Sequence, residues 1–140
     1  MANYESRMRT SYFNVDDEDI LVETINNLDL DVTIIKTNKG LMIYGSDFEY
    51  GRQEVFDTNG DYVEDEEINV FTLIQSHLKD GESVLINSIG YEKMRYLHGT
   101  STIITNYDIL RINAEDTVKR QAVELGILTR EKITELKCTN

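Results

Sequence analysis

Sixteen carboxylates fall between Asp16 and Glu67, and only Lys36, Lys39 and Arg52 offset them. The stretch nets −13, while the rest of the chain carries eleven bases and ten acids and is nearly neutral. The formal net charge of −12 therefore comes from one half of the molecule. No catalytic motif accompanies this excess. What the stretch describes is a surface, because ionised carboxylates are seldom buried unless paired.

The 140 residues suffice for one domain with a real core, so we read residues 1–140 as a single domain. Hydrophobic residues at 40% and charged ones at 29% suit a folded, water-soluble chain. No apolar run approaches the ~20 residues of a membrane span. Met1 to Arg7 lacks the apolar centre of a signal peptide. The one cysteine, Cys138, permits no internal disulfide, which fits a reducing, cytoplasmic setting. The charge argues against nucleic acid or anionic membrane as direct partners, since phosphates are repelled at range. It favours basic partners, cations, or a protein whose own task is to hold nucleic acid. The competing reading is that the charge only keeps the protein in solution.

Along the chain, Arg7 to Val15 alternates as a strand, with Met8, Thr10 and Tyr12 on one face. Asp16 reads as a helix cap, with Asp17, Glu18 and Asp19 in the first turn, so these acids also have a local explanation. Ile20, Leu21, Thr24, Ile25 and Leu28 form the helix's apolar stripe. Asp31–Lys36 and Leu41–Ser46 make a hairpin through Asn38-Lys39-Gly40.

Gln53 to Val63 has two readings. In one, Gln53–Asp57 and Asp61–Val63 are the arms of a small hairpin turned by Asn59-Gly60. In the other, Asp57, Asn59 and Asp61 stand at positions 1, 3 and 5 of a calcium loop. The loop's sixth position is Tyr62 where glycine is needed, and its twelfth is Ile68 where glutamate is needed, so the turn is preferred.

Glu64 to Glu67 reads as the acidic first turn of a second helix bearing Ile68, Phe71, Ile74 and Leu78. Ser83–Ile89 follows as a strand broken by Gly90. Lys93–Thr105 reads as a longer strand with a bulge at His98-Gly99, and Ile109–Ile112 as a short one. Asn113 caps a helix over Ala114–Leu125 that Gly126 stops, and Thr129 caps a last short helix. The order predicts an α+β fold: a mostly antiparallel sheet with two helices on one face, ferredoxin-like (split βαβ), plus a C-terminal helix.

His77 and His98 sit where structural roles account for them, and no nucleophile elbow, phosphate loop, HExxH or paired-cysteine pattern occurs. We expect no enzyme, no cofactor and no metal. Tyr44, Tyr50, Tyr62, Tyr91 and Tyr96 lie near turns and strand ends, where a ring with a wet hydroxyl suits an interface or simply packs on the sheet.

Arg9-Thr10-Ser11-Tyr12-Phe13-Asn14-Val15, followed by acids, and Gly90-Tyr91-Glu92-Lys93-Met94-Arg95-Tyr96 resemble a loosely defined group of short acidic proteins of Gram-positive phages, plasmids and conjugative elements. Ser11 departs from the asparagine of that pattern, and Asp29 to Glu66 does not match. The group has no settled activity, so the resemblance implies a setting rather than a site. Small acidic proteins of mobile elements are often antagonists of host defence, anti-CRISPR proteins among them. The expected function is a non-enzymatic inhibitor that presents a DNA-mimic-like acidic surface to a host nucleic-acid-binding protein such as a CRISPR effector nuclease. The partner-binding residues expected are Asp47, Glu49, Tyr50, Asp57, Asp61, Glu64, Asp65, Glu66 and Glu67. The alternative is an accessory or regulatory protein of a mobile element that acts as an oligomer or adaptor through strand edges and tyrosines.

Overall fold

The computed structural model describes residues 4–92 and 96–136. Residues 93–95, the start of the strand read above over Lys93–Thr105, and Cys138 lie outside the described residues. The chain is α+β, built on a six-stranded antiparallel sheet. Its strands are β1 (Tyr4–Thr10), β2 (Val32–Thr37), β3 (Gly40–Gly45), β6 (Ser83–Glu92), β7 (Tyr96–Thr105) and β8 (Ile109–Asn113), in the order β2-β3-β1-β6-β7-β8. Between β3 and β6 come a separate two-stranded ribbon, β4 (Tyr50–Phe56) and β5 (Tyr62–Asn69), and helix α2 (Val70–His77). Helix α1 (Glu18–Asn26) joins β1 to β2, and α3 (Ala114–Glu124) and α4 (Arg130–Ile133) follow β8. Among the described residues, no helix is long and apolar enough to cross a membrane.

The core lies between one sheet face and the two helices α1 and α2. Leu21 and Ile25 of α1 and Val70, Phe71 and Ile74 of α2 meet Met8, Ile43, Val84, Ile86 and Ile104 of the sheet. Strand β6 shows why: Val84, Ile86 and Ser88 are buried while Leu85, Asn87 and Ile89 are exposed, the period-2 alternation of a sheet packed on one side. Phe48, fully buried, meets Phe71 edge to face at 6.4 Å.

The predicted first strand loses its phase after Thr10. Met8 and Thr10 face the core, and then Phe13 and Val15 do, with Tyr12 turned outward. Two hydroxyls carry the ladder across this irregularity. Thr10 Oγ1 accepts from the Ile43 amide at 2.9 Å, and Ser11 Oγ accepts from the Leu85 amide at 2.9 Å. Pairing resumes between Phe13 and Leu41. Gly40 is required here: its φ is +115°, and a Cβ would stand 2.3 Å from the Phe13 carbonyl oxygen.

Five local expectations are corrected. Asp17, not Asp16, caps α1 by accepting from the Ile20 amide, and Ile20 is exposed rather than buried. Glu64 to Glu67 lie in strand β5, and α2 begins after Asn69, whose side chain accepts from the Thr72 amide. Gly90 continues β6, opposite Ser6 and His98. β7 keeps register through His98-Gly99 without a bulge. The caps at Asn113 and Thr129 are formed, each accepting from amides of the first turn.

Candidate interaction surface

The β4–β5 ribbon gathers the acids. Its register sets Arg52 opposite Glu67, Gln53 opposite Glu66, Glu54 opposite Asp65 and Val55 opposite Glu64. Glu54, Glu64, Asp65, Glu66 and Glu67 are all exposed. Alternation places Glu64 and Glu66 on one face and Asp65 and Glu67 on the other, so the ribbon is a blade acidic on both sides. Directly opposed like charges, as at Glu54 and Asp65, work against strand pairing. A two-stranded ribbon alone in water is marginal in any case.

The blade is held at its root. The Asp29 amide donates to the Arg52 carbonyl at 3.1 Å, and the Val70 amide to the Glu49 carbonyl at 2.7 Å. Gly51 is buried against Leu28, whose side chain lies 3.0 Å from where a Cβ would stand. Ile68 packs against the core. Between the end of α1 and the blade runs an open groove of about 570 Å³, lined by Asp29, Arg52, Glu54, Phe56 and Asp65 among others.

Its tip is ordered by Asp57. One carboxylate oxygen accepts from the Asn59 amide at 2.9 Å and the Asp61 amide at 3.0 Å, while Gly60 takes a φ of +84°. The hairpin reading of Gln53 to Val63 is therefore realised, with Asp57 oxygen engaged by backbone donors. Among the described residues no cluster of three His, Cys, Asp or Glu side chains is arranged to hold a metal ion. Just behind the turn, Phe56 and Tyr62 meet edge to face at 6.3 Å, and both rings are more than half exposed, as is Val63. Partial loss of hydration, then the Asp65 carboxylate, raises the Tyr62 phenol above its usual range.

The expected partner residues divide between two places. Asp57, Asp61 and Glu64 to Glu67 share the blade. Asp47, Glu49 and Tyr50 lie at its root, where two of them have internal tasks. Glu49 pairs with Arg111 of β8, and that guanidinium also sits 5.4 Å from the centre of the Phe71 ring. Asp47 accepts from the Glu49 amide, and its own amide donates to Ser6 Oγ. Tyr50 is about half exposed. Glu49 thus ties the blade to the sheet edge; the 62-residue separation of its partner leaves no local signal for that role in the sequence.

A second surface went unmarked in the sequence. The sheet face opposite α1 and α2 is open, and Leu85, Ile89, Leu97, Ile103, Leu110 and Ile112 are exposed on it. Comparison with protein-family models, curated proteins and solved structures finds no match for the chain.

Proposed function

We propose that the protein is a non-enzymatic inhibitor from a mobile genetic element, and that the β4–β5 blade occupies the phosphate-binding channel of a host nucleic-acid-handling protein, with CRISPR effector nucleases the first class to test. One observation carries the reading. Four consecutive acids lie on an exposed strand, so that at about 3.3 Å per residue the carboxylates of each face repeat every ~6.6 Å, about one for every second phosphate along one strand of duplex DNA. Arg and Lys side chains spaced for phosphates would meet a carboxylate at about every second position on either face of the blade. The Glu54–Asp65 opposition gives further support, since it burdens the fold and has its use only when cations arrive. Phe56, Tyr62 and Val63 supply an apolar tip of the kind that anchors interfaces, ringed by charge. The same reading takes β1-α1-β2-β3-α2-β6, in the sheet order β2-β3-β1-β6, as a split βαβ, ferredoxin-like core into which the blade is inserted.

The test is competition. Purified effector nucleases loaded with guide RNA are titrated with this protein in the presence of labelled target DNA. The wild type is expected to displace the DNA, with affinity falling steeply as salt rises. A variant with Asp61→Asn, Glu64→Gln, Asp65→Asn and Glu66→Gln is expected to lose displacement and flatten the salt slope. Equal displacement by the variant would end the electrostatic mechanism. The second reading, an accessory or adaptor protein of a mobile element, is favoured by the open sheet face and is separated by light scattering.

A further inference from the structure

The open sheet face is apolar over β6 to β8 but basic over β1. Met8 and Thr10 point into the core, so alternation sends Arg7 and Arg9 to the open side, where both are exposed. Residues on the same face of a strand stand about 6.6 Å apart, so two long guanidinium side chains can converge on one anion. Register sets Tyr44 of β3 directly across from Arg9 on one side and Asn87 of β6 on the other. A hollow of about 480 Å³ opens over these residues. β3 pairs with β1 only at Met8 and Arg9, whereas β6 accompanies β1 as far as Tyr4. Arg7 therefore has a strand partner on the β6 side alone, and the hollow lies where β3 turns away. Its volume falls within the ~300–1,000 Å³ of small-molecule sites.

The polar groups of the hollow are not engaged elsewhere. Among the described residues the Arg9 guanidinium has no ion pair, hydrogen bond or ring contact, and that of Arg7 donates only to the neighbouring Ser6 carbonyl, at 2.8 Å. The one carboxylate in the lining, Asp31, accepts from Ser46 Oγ at 3.1 Å. The hollow thus carries two cations and one anion in a chain of net −12. Tyr44 is 42% exposed, and Asn87 Oδ1 accepts from Ser101 Oγ at 2.7 Å, which leaves Asn87 Nδ2 to donate. A pair of guanidiniums matches a phosphate, and a tyrosine ring matches a flat apolar one. We propose that this hollow binds a small phosphorylated ring compound of the nucleotide class, with its phosphate on Arg7 and Arg9, its ring on Tyr44, and Asn87 Nδ2 donating to an acceptor on the ring edge. Net charge selects a single nucleotide over a polymer. Repulsion of a polyanion accumulates phosphate by phosphate, whereas one anion held at contact is screened from charges more than about 8 Å away. The site shares no residue with the blade and does not depend on the nuclease reading.

An NMR titration of the full chain tests it, with the four nucleoside 5′-monophosphates, adenosine and inorganic phosphate as probes. At least one monophosphate is expected to shift the amide resonances of Arg7, Arg9, Tyr44 and Asn87 and to saturate below about 10 mM. Adenosine, which lacks the phosphate, and inorganic phosphate, which lacks the ring, should each bind about tenfold more weakly or worse. Arg7→Gln with Arg9→Gln, at exposed positions that leave the core intact, should weaken the monophosphate by at least about tenfold while Tm is kept. Tyr44→Ala should bring the monophosphate down toward the affinity of inorganic phosphate. The four-acid variant of the blade should still bind the nucleotide, so loss of inhibition and loss of this site are read separately. No shift with any monophosphate at about 10 mM overturns the proposal, as does binding that survives the double glutamine variant. Inorganic phosphate that binds as tightly as the best monophosphate overturns it too. So does a single-stranded oligothymidylate that binds more tightly than any monophosphate, which would make the face a nucleic-acid surface.

Discussion

Glu54→Lys is the substitution that most directly examines what the blade does to the protein that carries it. Glu54 stands opposite Asp65. Replacing it removes a like-charge opposition and creates an attractive one, each worth a few tenths of a kcal/mol on an exposed ribbon. The expected gain is about 0.5–1 kcal/mol at low ionic strength, or about 2–4 °C in Tm for a domain of this size. Urea unfolding at about 0.02 M and about 1 M salt reads it. Screening lengths fall to ~3 Å at the higher salt, so most of the gain should vanish there. Gln53→Lys, opposite Glu66, supplies the attraction without relieving a repulsion and should give the smaller gain. The same Glu54→Lys protein should bind its cationic target more weakly, by about tenfold if one close charge pair is lost. A variant that is no more stable than wild type at low salt, or whose gain persists at high salt, refutes the account of the blade as an electrostatic burden kept for binding.

Other outcomes are expected. Thr10→Val keeps the side chain's shape but leaves the buried Ile43 amide without its acceptor, and should cost about 1–3 kcal/mol in urea unfolding. The hydrogen bond and charge of Lys36 hold the Asp19 carboxyl below its usual range. The contact therefore stabilises the fold above the unfolded carboxylate's pKa, near 4, and is lost as pH falls through the depressed folded value. An NMR titration should show Asp19 rising toward the ordinary value in Lys36→Met. Asp65→Asn should lower the Tyr62 phenol toward its ordinary range in an ultraviolet titration, though the part due to lost hydration will remain. Arg111→Met leaves Glu49, largely shielded from solvent, without its cation and should cost about 1 kcal/mol after allowance for the exposed guanidinium.

The strands that face the core on one side were legible, because burial on one face writes period 2 into the sequence. β6 and the β2–β3 hairpin are examples. β5 was legible only at its first residues, Tyr62 and Val63, for a physical reason. A ribbon wetted on both sides has no apolar face to mark its period, and a run of four acids before Ile68 is also what a helix's positive end attracts. Asn69, the real cap, is a single polar residue in that shadow. Gly90 and Gly99 suggested breaks because glycine weakens strands, but neighbouring strands hold both in register. Of the surface, the acids of the blade could be named in advance. Their convergence could not, since it depends on Glu54 meeting Asp65 across the turn. The open apolar face was hidden for the opposite reason: β6 and β7 carry aliphatic residues on both faces, which reads as complete burial.

The order of the sheet also sets a timetable for synthesis. β1 leaves the ribosome first, but its long partner is β6, which pairs with it from Tyr4↔Glu92 to Thr10↔Ile86. Its pairing with β3 spans only Met8 and Arg9 before the irregularity at Thr10. A nascent chain must therefore emerge past Glu92 before its first strand is secured on both sides. Until then β2–β3 and β4–β5 can close locally, as hairpins do within microseconds. The blade's acids would then be on display before the sheet that carries them is complete.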